Sequence, residues 1–359
     1  MLFDSTLRKE LSRSFAGTLV VILTIVLTVT LIRMLGLAAG GEVSPQDVVL
    51  LLGYAALGHL PTMLSLSLFV AVTSTLTRLY RDSEMAVWFT SGVSLARFFA
   101  PVLRFAAPVL VAVVALMLLV WPWTNRNTAD LRDRYERRSD LSRVAPGQFQ
   151  ASRDGRRVFF LDKQSPDAAT GRNVFILDQR DGRESVTTAQ AGQIQPGADG
   201  SRRLVLSHGT RTDLDERGDT RTLARFEQFD AAIGEKNVAR MDDLPPKARG
   251  TLALLGDPGG KARGELAWRF GIALATFNLL PWGLALASGG PRGGNNWTLL
   301  VGLLGFIVYF NLISLTQAWV ATGRFGLGAA LAMVHGGLLG GALLTLAGRM
   351  GLLRRPGRD

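Results

Sequence analysis

Hydrophobic residues run in long uncharged blocks, and clustered charges separate them. Uncharged stretches of 19, 30, 21, 22, 31 and 24 residues follow Arg13, Asp47, Arg104, Arg269, Arg292 and Arg324 in turn. A bilayer core of about 30 Å needs roughly 20 apolar residues of helix. Each stretch therefore predicts one membrane-spanning helix, with extra loop in the second and fifth. The first apolar run, 15–32, is too long for the core of a signal peptide, and no A-x-A site follows it closely, so it is read as a permanent anchor. The six predicted spans contain no Asp or Glu. A proton relay needs titratable groups at membrane depth, so any transport is expected to be driven from outside the helices.

Between the third and fourth spans the pattern changes. Residues 124–264 hold 25 of the 40 Lys+Arg and 21 of the 29 Asp+Glu. About 140 polar residues suffice for an independent core. Runs at 157–161, 173–177, 184–188, 203–208 and 222–229 read as strands, with Asp154-Gly155, Asp181-Gly182 and Asp199-Gly200 as turns. Strands so spaced, without helical periods between them, predict an antiparallel sandwich or open barrel. Residues 130–141 read as a charged helix leaving the third span, and 255–264, with Pro258, Gly259 and Gly260, as a return linker. Three regions result: 1–123 with three transmembrane helices, 124–264 with the β domain and its linkers, and 265–359 with three more helices and a basic tail.

The formal charge is +11, and its placement sets the orientation. With the N-terminus in the cytoplasm, the inner segments hold Arg8, Lys9, Arg13, Arg78, Arg81, Arg97, Arg104, Arg292, Arg349, Arg354, Arg355 and Arg358. The short outer segments hold only Arg33 and Arg324. This bias puts both termini inside and the 124–264 insertion outside, with Trp121, Trp123 and Trp268 at the outer interface. The basic excess follows the membrane, and no nucleic-acid partner is expected. The chain has no cysteine, which excludes disulfides, thiolate metal sites and cysteine nucleophiles. Gly260-Lys261 lacks the spacing and the Ser or Thr of a phosphate-binding loop, so no nucleotide site is assigned. His59, His208 and His335 are far apart in sequence and read as packed or surface residues, not metal ligands. The sequon Asn296-Trp297-Thr298 falls on the cytoplasmic side and is read as fortuitous.

The cytoplasmic loop after span two carries Arg81, Asp82, Glu84, Met85, Trp88 and Phe89. Asp82 can cap a short helix over 81–92 and Gly92 can end it. Glu84–Trp88 and Met85–Phe89 are i, i+4 pairs. Such a helix either lies on lipid, with Glu84 favourable in its first turn, or docks a cytoplasmic partner. Gly336, Gly337, Gly340 and Gly341 form two overlapping G-x-x-x-G patterns in span six. They are expected to pack closely against a helix of this chain or of another. Arg33, at the outer end of span one, is either a snorkelling anchor or a contact for the phosphate of an amphipathic ligand.

The run Arg78-Leu79-Tyr80-Arg81-Asp82-Ser83-Glu84-Met85 resembles the signature of the lipopolysaccharide export permeases, the LptF/LptG family, and is nearer the LptF branch. Pro146-Gly147-Gln148-Phe149, Val174-Phe175, Glu265-Leu266-Ala267-Trp268-Arg269, Pro291-Arg292-Gly293, Tyr309-Phe310-Asn311 and Val334-His335 recur at the family's places. The resemblance runs from the N-terminus to about Gly348. It implies six transmembrane helices with a periplasmic β-jellyroll between the third and fourth, in a Gram-negative inner membrane. It also implies pairing with an LptG-like chain and with two copies of the ATPase LptB, which would hold the ATP and magnesium; no cofactor is expected in this chain. The 81–92 segment then corresponds to the coupling helix, with Glu84 making polar contact in the ATPase. Spans one and five would flank lateral gates, and the jellyroll would pass lipopolysaccharide to an LptC/LptA bridge. The family often has more basic residues in the outer half of span one, where this chain has Thr28 and Thr30. Arg33 and Arg324 are the expected lipopolysaccharide contacts beside the membrane; in the strand at 157–161 the alternation favours Phe160 over Phe159 as the inward contact, and a one-residue shift of register would exchange them. Without the resemblance, a non-transporting scaffold whose outer β domain binds a partner protein fits the same pattern.

Overall fold

The computed structural model describes residues 2–40, 43–142, 149–151, 157–160, 162, 170–180, 183–196, 202–214, 221–233, 244–287 and 297–350. The three expected turns at 154–155, 181–182 and 199–200, the 291–293 loop, Asn296, Pro146-Gly147-Gln148 and the tail arginines 354, 355 and 358 lie outside the described residues. Two compact units form, Met1–Asp130 with Leu244–Asp359, and Leu131–Asp243.

The first unit is helical. Its elements are α1 (Leu2–Ala39), α2 (Val48–Arg81), α3 (Glu84–Thr90) and α4 (Phe99–Ala115), which runs through a π-helical turn, Leu116–Val120, into α5 (Trp121–Ser142). After the second unit come α6 (Thr251–Leu255), α7 (Gly260–Leu286), α8 (Trp297–Ala321) and α9 (Leu327–Leu331). A second π-helical turn, Ala332–Gly336, leads from α9 into α10 (Gly337–Arg349). Among the described residues six helices are long and apolar enough to cross a membrane: Asp4–Ala39, Pro45–Arg81, Leu95–Arg132, Gly260–Leu286, Trp297–Ala321 and Leu327–Arg349. The six spans expected from the charge gaps are therefore all present, and the charged helix expected at 130–141 is the last part of α5.

Two boundaries differ from the sequence expectation. The helix of the fourth span starts at Gly260, ahead of Glu265 and Arg269, so that helix carries a carboxylate and an arginine near its N-terminal end. The expected linker over 255–264 shrinks to 256–259, because α6 and α7 occupy the rest.

Span four and span two form the interior: 67% and 44% of their most apolar windows are buried, against 6% for span one. One core cluster joins Leu7 and Leu11 of α1, Leu76 and Leu79 of α2, Met85 of α3, Phe98, Val102 of α4 and Leu284 of α7. A second joins Phe69, Val113, Met117, Ile272, Leu279, Phe306, Tyr309 and Ile313. The outward faces are apolar, as at Val20, Val21, Ile25, Val111, Leu300 and Leu344, which suits a lipid surround rather than water. Missing side chains bring α7 against α8. A Cβ at Gly264 would lie 2.8 Å from the Ala321 Cβ and 2.9 Å from the Gln317 carbonyl, and one at Gly260 would strike the Ala321 carbonyl. These are small residues four apart, the spacing that lets two membrane helices touch backbones. At the far end of α7, Arg349 donates to the Ala287 carbonyl at 2.6 Å, satisfying a helix C-terminal group that lacks an intrahelical donor.

The second unit contains one six-stranded antiparallel sheet in chain order: β1 (Gln150–Ala151), β2 (Arg157–Phe160), β3 (Thr170–Arg180), β4 (Arg183–Pro196), β5 (Arg202–Leu214) and β6 (Arg221–Ile233). The five expected strands are present and mostly longer than expected. Register runs unbroken through Asn173, Gln190, His208 and Glu227, yet none of the four pairs with its neighbour. Asn173 and His208 have φ of 48° and 51°, the left-handed region that Asn and His enter more readily than most residues. The ladder thus breaks along one line across four strands, and the sheet creases there. Phe226 and Phe229 lie either side of that line. Three residues apart they would point to opposite faces of a regular strand, but their rings meet at 5.3 Å. The crease therefore joins the face of Val174 and Ala189 to that of Leu206, and all three side chains are buried.

Gly209 makes this fold-over possible. A Cβ there would collide with the Thr188 carbonyl oxygen and with the Phe226 ring. Gly209→Ala is expected to destabilise the β unit by about 1–3 kcal/mol, the usual range for overpacking. Limited proteolysis of the full chain should then cut faster within 131–243 while the helical circular dichroism is unchanged; an unaltered cutting rate would contradict the packing argument.

Candidate functional site

The segment after α2 is a helix broken and restarted. Ser83 adopts φ 61°, and α3 begins at the next residue, Glu84. Asp82 does not cap α3 as its position had suggested. It is the C-cap of α2, and its amide donates to the Arg78 carbonyl at 2.8 Å. Its carboxylate turns to Arg78 and Arg81, at 3.3 and 3.4 Å. Gly92 does end the helix: its φ is 82° and the next amide, Val93, donates to the Trp88 carbonyl at 3.0 Å, a Schellman closure.

Helical spacing divides the expected docking residues in two. Met85 is buried, and Trp88 packs against the same core cluster; these two anchor α3 to its own chain. Arg81, Asp82, Glu84 and Phe89 remain at least partly accessible, with Val87 66% exposed beside them. Val87 had not been singled out; its exposure needs the helix phase, which only the Met85 anchor fixes. The outward surface is thus one carboxylate in a first turn with two apolar side chains nearby.

Arg78 ties this surface to α1. Its guanidinium donates to Glu10, lies 3.3 Å from Asp82 and lies 3.7 Å from Glu84. Asp82 and Glu84 of the run thus share one cation with Glu10 of α1.

At the other end of span four lies a second polar centre. Arg269 is wholly buried and Glu265 nearly so. Arg269 Nε donates to Glu265 Oε1 at 2.9 Å, Nη1 to Thr251 Oγ1 at 2.7 Å, and Nη2 to the Arg249 carbonyl at 2.9 Å. The same Glu265 oxygen accepts from Trp121 Nε1 at 2.8 Å. Thr251 in turn donates to the Leu118 carbonyl at 2.7 Å. That carbonyl belongs to the π-helical turn between α4 and α5, where regular helix bonding is interrupted. Nearby, the Gly259 amide and then Arg249 hold the Asp257 carboxyl below the usual carboxylate range.

The second π-helical turn is treated alike. Asn278 donates to the His335 carbonyl at 2.9 Å and to the Tyr309 hydroxyl at 3.1 Å, and that hydroxyl meets His335 Nδ1 at 2.6 Å. His335 therefore joins spans four, five and six. Among the described residues no group of three His, Asp or Glu is placed to hold a metal ion.

The remaining candidates are scattered. Arg33 and Arg324 are both exposed, without an ion pair among the described residues. Arg324 follows Gly323, whose φ of 74° closes α8, with the Arg324 amide donating to the Trp319 carbonyl at 2.9 Å. Phe160 pairs in register with Phe175 and stacks near Phe149 at 4.7 Å. It therefore shares the face of Phe175, opposite to that of Val174 and Ala189. A Cβ on Gly336, Gly337, Gly340 or Gly341 would meet nothing within 4 Å. Among the described residues of this chain, nothing makes the close packing expected of these glycines.

Comparison with known proteins follows the same lines. Residues 6–346 match the profile of the family described as lipopolysaccharide export system permease LptF/LptG. The lipopolysaccharide export system permease protein LptF of Escherichia coli (strain K12) is 28% identical over 315 residues, which cover 86% of this chain and 85% of that protein. The proteins of the same name from Escherichia coli O157:H7 and Shigella flexneri show the same identity and coverage.

Proposed function

Because the chain belongs to the LptF/LptG family of lipopolysaccharide export permeases, we propose that it is the transmembrane subunit of an ATP-driven extractor, which lifts lipopolysaccharide from the inner membrane and delivers it to a periplasmic bridge. It works beside an LptG-like chain and an LptB-like ATPase dimer, and LptC- and LptA-like proteins form the bridge. Both termini and α3 lie in the cytoplasm, and the β unit lies in the periplasm. The chain itself is not an enzyme; nucleotide and magnesium belong to the ATPase.

One observation carries the reading: α3 presents Glu84, Val87 and Phe89 outward while Met85 anchors it in the core. A helix so held can receive a push, and the chain has no phosphate-binding motif to generate one. The creased sheet supports the delivery step. Its apolar face, from Val174 and Ala189 to Leu206 and Phe229, suits acyl chains better than Phe160 does.

The test is isolation from membranes in mild detergent. A cytoplasmic ATPase should come with the chain, and ATP should release lipopolysaccharide from proteoliposomes. A reporter fused after Asp199 should be active outside the cytoplasm, and one after Gly92 inside. Purification with periplasmic protein but no ATPase would replace the transporter with a scaffold.

A further inference from the structure

We propose that the Glu10–Arg78 pair is the link through which a displacement of α3 reaches α1, making Arg78 a positioning residue for the movement of span one. The inference rests on α3 being the docking helix, as argued above.

Span one packs along α2 on one face and is gripped most firmly at its Glu10 end. Leu7 and Leu11 are buried in the cluster that also contains Met85 of α3. Ser14 and Ser74 hydroxyls meet at 3.0 Å, and the Phe15 and Phe105 rings meet edge to face at 6.0 Å. Asp4 lies 3.7 Å from Arg104 of α4. From residue 12 to residue 29 no α1 side chain is fully buried, and Val20, Val21, Ile25 and Val29 are each more than half exposed. Thr30, near the outer end, is buried again, so α1 is an unbroken rod whose firmest hold is at its Glu10 end. From Glu10 to Arg33 it is about 35 Å long, at 1.5 Å per residue. A small tilt at the Glu10 end becomes a displacement of several ångströms at Arg33.

Arg78 sits where such a tilt would start. It belongs to α2 but faces three carboxylates on three segments: Glu10 on α1, Asp82 after α2, and Glu84 on α3. Between Asp82 and Glu84 lies Ser83 with its positive φ, the one backbone joint between α2 and α3. Side-chain exposures of 37% for Arg78 and 31% for Glu10 leave the pair partly solvated, so it can break and re-form without burying an unpaired charge. A partner cation drawing Glu84 away leaves Arg78 to Glu10 and Asp82 alone, which changes the pull on α1. Among the described residues, Arg81 reaches Asp82 at 3.4 Å, and Arg104 lies 3.7 Å from Asp4.

The chain has no cysteine, so Val29→Cys gives a single attachment point for an environment-sensitive fluorophore on the exposed side of α1. The labelled full complex, in phospholipid nanodiscs, should change its emission on addition of ATP. With Glu10→Ala that response should be lost, while ATPase co-purification and ATP hydrolysis stay as in the parent; Glu10→Asp should restore it. A response that survives Glu10→Ala overturns the link, as does loss of the ATPase in that variant, which would make Glu10 a docking or folding residue. A parent without any co-purifying ATPase overturns the transporter reading and the link together, and is seen before any nucleotide is added.

Discussion

Arg269→Ala should be among the most destabilising single substitutions in the helical unit. The guanidinium is wholly buried and spends its donors on Glu265, Thr251 and the Arg249 carbonyl, with the Pro246 and Lys247 carbonyls at 3.3 Å. Truncation leaves the Glu265 carboxylate buried with Trp121 alone and strips three loop carbonyls of their donor. Breaking one side of a buried pair costs about 3–5 kcal/mol, most of it the uncompensated charge. Arg269→Lys should recover little, because a point charge cannot replace a planar fork. Arg269→Met with Glu265→Met should be far milder than either truncation, since apolar pairs often replace buried ion pairs without loss. Thermal unfolding of the detergent-purified protein measures this. A double variant as unstable as the sum of the two singles would show that the loop carbonyls, not the ion pair, carry the stability.

Charge gaps located six spans because the bilayer excludes isolated charges, and that rule is nearly independent of tertiary contacts. The same rule does not find the start of the α7 helix. Glu265 and Arg269 are four residues apart on one helix face and neutralise each other, so a gap count ends the span where the helix in fact continues. Only geometry reveals the satisfied pair.

Glycine spacing left its partner open for a related reason. The patterns at Gly336–Gly340 and Gly337–Gly341 look alike in sequence to that at Gly260–Gly264, yet the first two open onto space and the last touches Ala321. A G-x-x-x-G run says that a backbone can be approached; it does not say which one is. The crease through Asn173 and His208 was equally hidden. Neither residue is a glycine, and the strand pattern on both sides is regular, so only the backbone angles show it. Gly92, by contrast, was legible, because one left-handed residue ending a short helix is a purely local event. So was the existence of α3, though its phase was not: Trp88 and Phe89 look equivalent until Met85 fixes which side is buried.

Glu84→Ala should leave the chain folded and inserted, and weaken ATPase association by roughly 30- to 5,000-fold. That range follows from about 2–5 kcal/mol for truncating one partner of a charge pair at an interface. Inside this chain Glu84 has little to lose. Its pair with Arg78 spans 3.7 Å with the carboxylate 44% exposed, and exposed pairs are worth about 0–1 kcal/mol. Its place in the first turn of α3 adds about 0.3–1 kcal/mol through the helix dipole. Folding effects and docking effects therefore differ enough in size to be told apart. Glu84→Gln should be milder, keeping the shape and one acceptor. ATPase co-purification and ATP-dependent lipopolysaccharide release, measured for both variants, decide the matter. Wild-type values for Glu84→Ala would remove the carboxylate from the docking surface and leave its apolar part, Val87 and Phe89, as the contact to test next, with Trp88, half-buried against the core of its own chain, after them.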